Sequence, residues 1–311
     1  MDLLDLRYFV VIAECGSILA ASEQLHIAQP SLSIRIKALE QELGVMLFER
    51  RSRGVALTGE GQELLSHARQ ILHAAETARE SVRLHANTAV GTVNFGVPTS
   101  LAAVLCVPLV ETALGELPDV KLRIVESMSG YIIDWLREGR LDLGLVFGDK
   151  AISGVQLEPL LEEELYLAAD SAAALAPLID EKGEMPLEKL DGVPLILPTG
   201  HHGLRQLLDD VARRNGIARA PRIEIDSFSQ IQRLVQRKMG MTILSMAALH
   251  ETALDPPLVT ARIKNPAITR TISLAYSESR SLTKATREIA KRARGILRAQ
   301  AATGSWLAKP L

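Results

Sequence analysis

Ala28-Gln29-Pro30-Ser31-Leu32-Ser33-Ile34-Arg35-Ile36-Lys37-Ala38-Leu39-Glu40-Gln41-Glu42-Leu43-Gly44 is the stretch on which the reading of this chain turns. Leu32, Ile36, Leu39 and Leu43 are spaced 4, 3 and 4 apart, which puts them on one face of a helix. Pro30 stands where a helix start tolerates proline, and Gly44 where a helix stops. Upstream, Ser17 is placed to cap a helix over 18–25, and small Ala20 and Ala21 let two helices cross closely. Before that, Leu6, Phe9, Val10, Ile12 and Ala13 form an apolar stripe ending at Gly16. Residues 1–58 therefore read as three helices and a short ribbon.

A third helix whose N-terminus is aimed outward by a turn is the physics of a helix-turn-helix. Gln29, Ser31 and Ser33 lie at that exposed end; Gln can read an adenine edge, and Ser can bond a phosphate or a base. Arg35 and Lys37 follow on the solvent side, and Arg50, Arg51 and Arg53 beside Gly54 read as a basic wing suited to the DNA backbone. Residues 1–61 nevertheless hold six basic side chains against eight acidic ones, which is not the balance of a typical DNA-binding domain. Five of the six basic residues fall between 35 and 53, so they can share one face.

Downstream the pattern changes twice. Leu64, Ala68, Ile71, Ala75, Ala78 and Val82 step by 4, 3, 4, 3 and 4, an a/d seam along one helix over 59–87. It reads either as a helix lying on its own domain or as a dimer seam, where small Ala75 and Ala78 let two backbones approach. From 92 onward strands alternate with helices: 93–97, 120–125, 141–147, 193–197, 222–225, 241–244 and 270–276 read as strands, and 157–161 and 165–169 as two adjoining apolar segments. Alternation implies parallel strands joined by crossover helices. The fold class is thus α/β with an N-terminal all-α winged helix-turn-helix, a long linker helix and a two-subdomain α/β domain. The expected divisions are 1–58, 59–87 and 92–311, the last split into subdomain I (92–162 plus 268–311) and subdomain II (163–267).

The composition of the 311 residues, 47% hydrophobic and 23% charged with a net charge of −2, excludes a polycation, a disordered chain and a disulfide scaffold. Two cysteines suit a reducing cytoplasm, and no run of about twenty apolar residues predicts a membrane span. No nucleophile elbow, Walker loop, zinc-protease helix or dinucleotide fingerprint occurs, so no enzyme is expected. Two α/β halves suggest a ligand between them at the strand ends. Pro98, Thr99 and Ser100 follow the first strand and open a helix that could hold a small anion; Ser127, Met128 and Ser129 follow the second strand, and Phe147 ends the third. Ordinary helix capping explains Thr99 and Ser100 as readily. Adjacent His201 and His202 lack nearby partners at metal spacing, so a pH-responsive or carboxylate-binding role is expected rather than a metal, and no cofactor. The C-terminal helix carries Arg280, Lys284, Arg287, Lys291, Arg292, Arg294 and Arg298 against Glu288, a solvated basic face.

Leu6-Arg7-Tyr8-Phe9, Ala28 to Ser33, Leu39-Glu40-x-x-Leu43-Gly44, Leu47-Phe48-x-Arg50 and Leu57-Thr58-x-x-Gly61 match, in order and spacing, the winged helix-turn-helix of LysR-type transcriptional regulators. The chain resembles that family throughout, and around Glu126 to Gly130 and Trp135 to Leu143 it is similar to the nitrogen-assimilation-control branch. The resemblance implies groove-facing roles for Gln29, Pro30, Ser31 and Ser33, and backbone or wing contacts for Arg35, Lys37, Arg50 and Arg53. It implies an antiparallel dimer through the linker helix, tetramers, two-fold-related half-sites on double-stranded DNA, and contact with RNA polymerase. In the α/β domain it implies effector contacts at Thr199, His201, His202, Ser227 and Phe228 beside those named above, with an organic anion as effector. Two positions depart from the family's pattern: Ile34, usually polar, and Leu19, often Thr. Two other readings stay open: a constitutive regulator whose α/β domain only oligomerises, and a periplasmic-type solute-binding protein, disfavoured by an acidic N-terminus where a signal peptide would be basic and by the N-terminal DNA module.

Overall fold

The computed structural model describes residues 1–51, 54–83, 89–200, 202–217, 221–250, 255–278, 282–303 and 306–311, with the side chains of 77, 80–83 and 250 outside the description. Arg53, His201, Arg280 and the 84–87 end of the linker expectation therefore lie outside the described residues.

The N-terminal unit holds α1 (Leu3–Cys15), α2 (Ile18–Leu25), α3 (Gln29–Leu43), β1 (Phe48–Arg51), β2 (Gly54–Leu57) and the start of α4 (Gly59–Arg83). Asp2 and Asp5 form a reciprocal capping box at α1, and Gly16 ends that helix in the left-handed conformation. Ser17 caps α2 through the Ala20 amide, and Gly44, also left-handed, ends α3. Leu6, Phe9, Ile12, Ala21, Leu32, Ile36 and Leu39 make one core. Ala20 does not join the helix crossing: only Ala21 is buried, and Ala20 faces solvent. Glu40 is buried for a reason. Its Oε1 accepts the amides of Leu47 (2.8 Å) and Phe48 (3.2 Å), tying α3 to the wing. The wing also docks on the turn between α1 and α2, where the Val55 amide donates to the Gly16 carbonyl at 2.9 Å. Gly54 has φ 120°, and a Cβ there would sit 2.2 Å from that carbonyl oxygen. Gly54→Ala is expected to lower the stability of this unit by about 1–3 kcal/mol, read as an earlier denaturant midpoint.

The linker helix is not a uniform seam. Leu65 and Ala68 lie in the core of the N-terminal unit, with Leu64 and Leu72 against it. Of the a/d series, Ala68 therefore serves its own domain. Ile71 and Ala78 are exposed and Ala75 is half-buried. A different face meets both α1 and subdomain I: Arg69 lies 3.0 Å from Glu14 of α1 and 3.8 Å from Glu138 of subdomain I, and His73 lies 3.6 Å from Asp142.

The α/β region follows as β3 (Gly91–Pro98), α5 (Thr99–Glu116), β4 (Val120–Ser127), α6 (Ser129–Arg137), β5 (Leu143–Phe147), β6 (Val155–Ala169), α7 (Ala172–Leu175), β7 (Glu184–Pro186), β8 (Ile196–Leu197), α8 (Gly203–Arg214), β9 (Ile223–Glu224), α9 (Phe228–Gln236), β10 (Thr242–Ser245), α10 (Met246–His250), β11 (Val259–Lys264), β12 (Thr269–Ser277), α11 (Lys284–Ala302) and β13 (Ala308–Pro310). In subdomain I the strand order is β4-β3-β5-β12-β6, with β13 also on β6 and β3 parallel to both β4 and β5. In subdomain II, β10 and β11 pair antiparallel with β6, β11 carries β7, and β8 pairs with β9.

The two apolar segments at 157–161 and 165–169 are one fifteen-residue strand. β6 pairs with β12 through Glu164 and with β10 from Leu165 on, so one strand runs through both subdomains. The second crossing lies between β11 and β12. Each subdomain keeps its own core, built around Phe95, Leu105, Leu145, Leu274 and Ile289 in one and Leu167, Ile196, Leu208, Ile231 and Ile243 in the other. α5 is long and apolar enough by length and composition to cross a membrane. Here it lays Leu101, Leu105, Leu109 and Ala113 into the core. The C-terminal strand β13, which the sequence pattern did not predict, brings Trp306 into the core of subdomain I.

Candidate functional site

Two places gather the predicted residues. The first is the outer side of α3 with the wing. Gln29, Pro30, Ser31, Lys37 and Arg50 are exposed and Ser33 is half-buried. Ser33, Lys37 and Arg50 line one groove of about 660 Å³ between α3 and the wing, together with Gln41, Met46 and Val55. No side chain caps α3, because Ala28 stands at its N-cap. The amides of its first turn are thus open to a phosphate.

Arg35 is not brought to this groove. It falls on the other flank of α3, donates to Asp5 at 2.6 Å, lies 3.7 Å from Asp2 and covers the Tyr8 ring at 5.8 Å. Bonding to Asp5 raises its guanidinium above the ordinary value, so it stays charged while tied to α1. This pairing also answers the acidic balance of the domain. Asp2 and Asp5 hold Arg35, Glu14 holds Arg69, Glu40 is buried on wing amides, Glu42 meets the chain N-terminus, and Glu49 takes Arg51. Glu40 lines the groove, its Oε1 taken by the Leu47 and Phe48 amides; the other paired carboxylates lie outside the groove's lining. Among the described residues no carboxylate pairs with Lys37 or Arg50. A duplex facing the groove meets cations.

The second place is the cleft between the α/β subdomains. Thr99, Ser127 and Met128 from subdomain I face His202, Ser227 and Phe228 from subdomain II across a cavity of about 340 Å³, with Glu126, Pro198, Asp226 and Ser229 completing its wall. α5, α6 and α9 all begin at this cavity, and none of the three has a side-chain cap at its N-terminus. Their first-turn amides and the positive ends of three helix dipoles converge on one space. Ser129 and Phe147 line a neighbouring cavity of about 420 Å³ with Lys150, Leu204, Thr269 and Arg270.

Not every predicted cleft residue reaches open space. Pro98 is buried at the end of β3. Ser100 is buried and accepts from Arg270 at 3.3 Å. Thr199 is turned to Asp226, which accepts from its amide and its hydroxyl, both at 2.9 Å.

His202 sits at the start of α8. Its Nδ1 accepts the Leu204 amide at 3.1 Å, so in the neutral ring the proton is assigned to Nε2. The ring meets Phe228 edge-on at 5.3 Å. Burial, and then the nearby charge of Arg270, push its pKa below the ordinary 6.5. The folded chain therefore binds fewer protons at His202 than the unfolded chain does. Its contribution to stability is present above pH 6.5 and is lost as the pH falls below it. His202→Asn keeps an N-cap acceptor and removes the titration. Its denaturant midpoint is expected to fall less than the parent's between about pH 7.5 and about pH 5.5.

A buried cluster around Arg270 left no sign in the sequence. Arg270 on β12 is 7% exposed. Its Nε donates to Glu163 on β6 at 2.6 Å, and its Nη2 reaches Ser100 and Ser245, both at 3.3 Å. Its guanidinium carbon lies 3.5 Å from the centre of the Phe147 ring. Trp306 donates its indole N–H to the other oxygen of Glu163 at 2.8 Å. One guanidinium thus touches α5 of subdomain I and β10 of subdomain II where the strands cross. The basic face expected on α11 is likewise partly engaged: Arg292 binds Glu116 and Glu288, and Arg294 binds Glu158. Among the described residues no group of His, Cys, Asp and Glu is arranged to hold a metal ion.

Comparison with known proteins agrees with this architecture. Residues 3–62 match the family model of the bacterial regulatory helix-turn-helix proteins of the lysR family, and 86–297 match the LysR substrate binding domain. The nitrogen assimilation regulatory protein nac of Klebsiella aerogenes is 32% identical over 284 residues, covering 91% of this chain and 90% of that protein. A probable hydrogen peroxide-inducible genes activator of Mycobacterium leprae is 28% identical over 287 residues, 92% of this chain and 91% of that one. A full-length OxyR variant from Pseudomonas aeruginosa superposes with a TM-score of 0.78 at 24% identity, over 96% of this chain and 95% of that one. Full-length CbnR complexed with its target DNA gives 0.65 at 23%, over 97% and 100%. These two likenesses speak for the fold. The family matches set aside both an enzyme and a solute-capture protein. The chain belongs to the LysR family, as a DNA-binding transcription regulator with a winged helix-turn-helix and an effector-responsive α/β domain.

Proposed function

We propose that this regulator is a cytoplasmic homodimer, joined through α4 and able to pair into tetramers, that reads two-fold-related half-sites and is tuned by a small organic anion. Gln29, Ser31 and Ser33 face base edges, while Lys37 and Arg50 hold the backbone. The observation that carries the anion is the convergence of three helix N-termini without side-chain caps on the cavity lined by Thr99, Met128, Ser227 and Phe228. The same wall holds Glu126 and Asp226. The effector therefore presents its negative group to the helix ends and a donor group to these carboxylates. Neutral His202 adds an Nε2–H donor. No resident cofactor or metal belongs to this reading.

Regulation follows from differential affinity. An anion spanning both walls favours the subdomain angle at which both are in reach, and that angle sets how the paired subunits present their winged domains to DNA and to RNA polymerase. The test is thermal unfolding of the full-length protein against a panel of mono- and dicarboxylates and amino acids. An anion at a hundredfold excess over its Kd stabilises by about 2.7 kcal/mol. A panel in which nothing stabilises the protein contradicts the anion reading and favours a constitutive regulator.

A further inference from the structure

α3 carries an apolar side chain where a reading helix meets DNA. Leu32, Ile36 and Leu39 are buried in the core, and Ile34 lies about 180° around the helix from the midpoint of Leu32 and Ile36. Ile34 is 68% exposed. It shares its outward stripe with exposed Pro30, Lys37 and Gln41, at spacings of 4, 3 and 4. Ser31 and Ser33 flank it, and the groove holding Lys37 and Arg50 runs along the same side. Scattered single apolar residues on a surface need no explanation. This one stands in the N-terminal half of the helix, the part that approaches base edges in a helix-turn-helix.

We infer that Ile34 reads a thymine methyl group in each half-site. The inference rests on the proposed docking of α3 in the major groove. Isoleucine has no donor or acceptor, so it gains nothing from a phosphate or from a polar base edge. Seated against such an edge, it strips water from a group it cannot bond. Among the four bases, only thymine presents an apolar group in the major groove, its C5-methyl. Ile34 therefore favours thymine at one position and disfavours cytosine there, whose N4 amino group would lose water against the isoleucine. The neighbouring polar residues supply hydrogen-bonded readout beside it.

The test uses the full-length protein and double-stranded DNA selected by it from a random pool. Each thymine of the selected half-site is replaced in turn by deoxyuridine, which removes only the methyl, and affinities are measured by fluorescence anisotropy at fixed salt. One thymine per half-site is expected at which uracil weakens binding by about fourfold, the worth of one buried methyl-sized group. Ile34→Ala, a change at an exposed site that leaves the core untouched, is expected to bind the thymine and uracil duplexes alike while still preferring the selected sequence. Half-sites without an invariant thymine, or an Ile34→Ala protein that keeps the parent's thymine preference, overturn the inference. A parent protein that enriches no sequence at all overturns the docking of α3 itself, and is told apart by failing before any uracil is introduced.

Discussion

Arg270→Ala is expected to lower the stability of the α/β domain by about 3–5 kcal/mol, the usual cost of removing one partner from a buried ion pair. The reason lies with what remains. Glu163 is 1% exposed and would keep only the Trp306 indole as a donor. Ser100 and Ser245 would each lose the guanidinium that approaches them from between the subdomains. The Phe147 ring would lose the cation held against its face. Arg270→Lys is expected to restore little, because an ammonium cannot serve Glu163 and two hydroxyls with one planar fork. Removing both charges together, as in Arg270→Met with Glu163→Leu, is expected to cost much less than the sum of the single changes, since no buried charge is stranded. Denaturant unfolding of the parent, Arg270→Met, Glu163→Leu and the double variant measures the coupling. Additive costs would mean that the pair is not the unit described here.

The second large effect concerns assembly. If the proposed α4 dimer is right, Ala78→Glu is expected to give a monomer and to weaken operator binding by about a hundredfold or more. Ala78 is exposed in the single chain, so a carboxylate there meets no intrachain packing. In a seam of Ile71, Ala75 and Ala78 against a second copy, the same carboxylate is buried without a partner. A monomer addresses one half-site, and the gain from holding the second by tether disappears. Light scattering reads the mass, and anisotropy reads the DNA affinity. A protein of unchanged mass would place the self-association elsewhere.

How much of this was legible in the sequence follows the range of the interactions. The N-terminal unit is written locally: the capping box at Asp2, the left-handed glycines at 16 and 44, and the 4-3-4 spacing of α3 each need only their neighbours. Strand and helix alternation likewise exposed the α/β region, because hydrophobic period is a local property. The continuity of β6 was not legible. Its two ends belong to different sheets, and the partners that prove it, β10 and β12, lie far along the chain.

The Arg270 cluster was hidden for the same reason. Its carboxylate is 107 residues away, and a lone arginine in an apolar strand carries no sign of the partner. Arg35 shows the complementary limit. Helical spacing told that it points outward, but not that Asp2 and Asp5 stand opposite it. At the cleft, strand-end position alone marked Thr99, Ser127 and Met128. It could not separate them from Ser100, whose hydroxyl turns inward to Arg270.

Recognition of a particular DNA sequence through α3 and the wing is the central proposal for this regulator. A footprint of the full-length protein on the DNA flanking its own gene tests this most directly, run at about 50 mM and about 200 mM salt with excess competitor DNA. Protection of two half-sites about one helical turn apart, surviving both the competitor and the higher salt, is expected. Protection that vanishes into the competitor at either salt would contradict that proposal, and would leave the cations of the groove as a site of nonspecific attraction only.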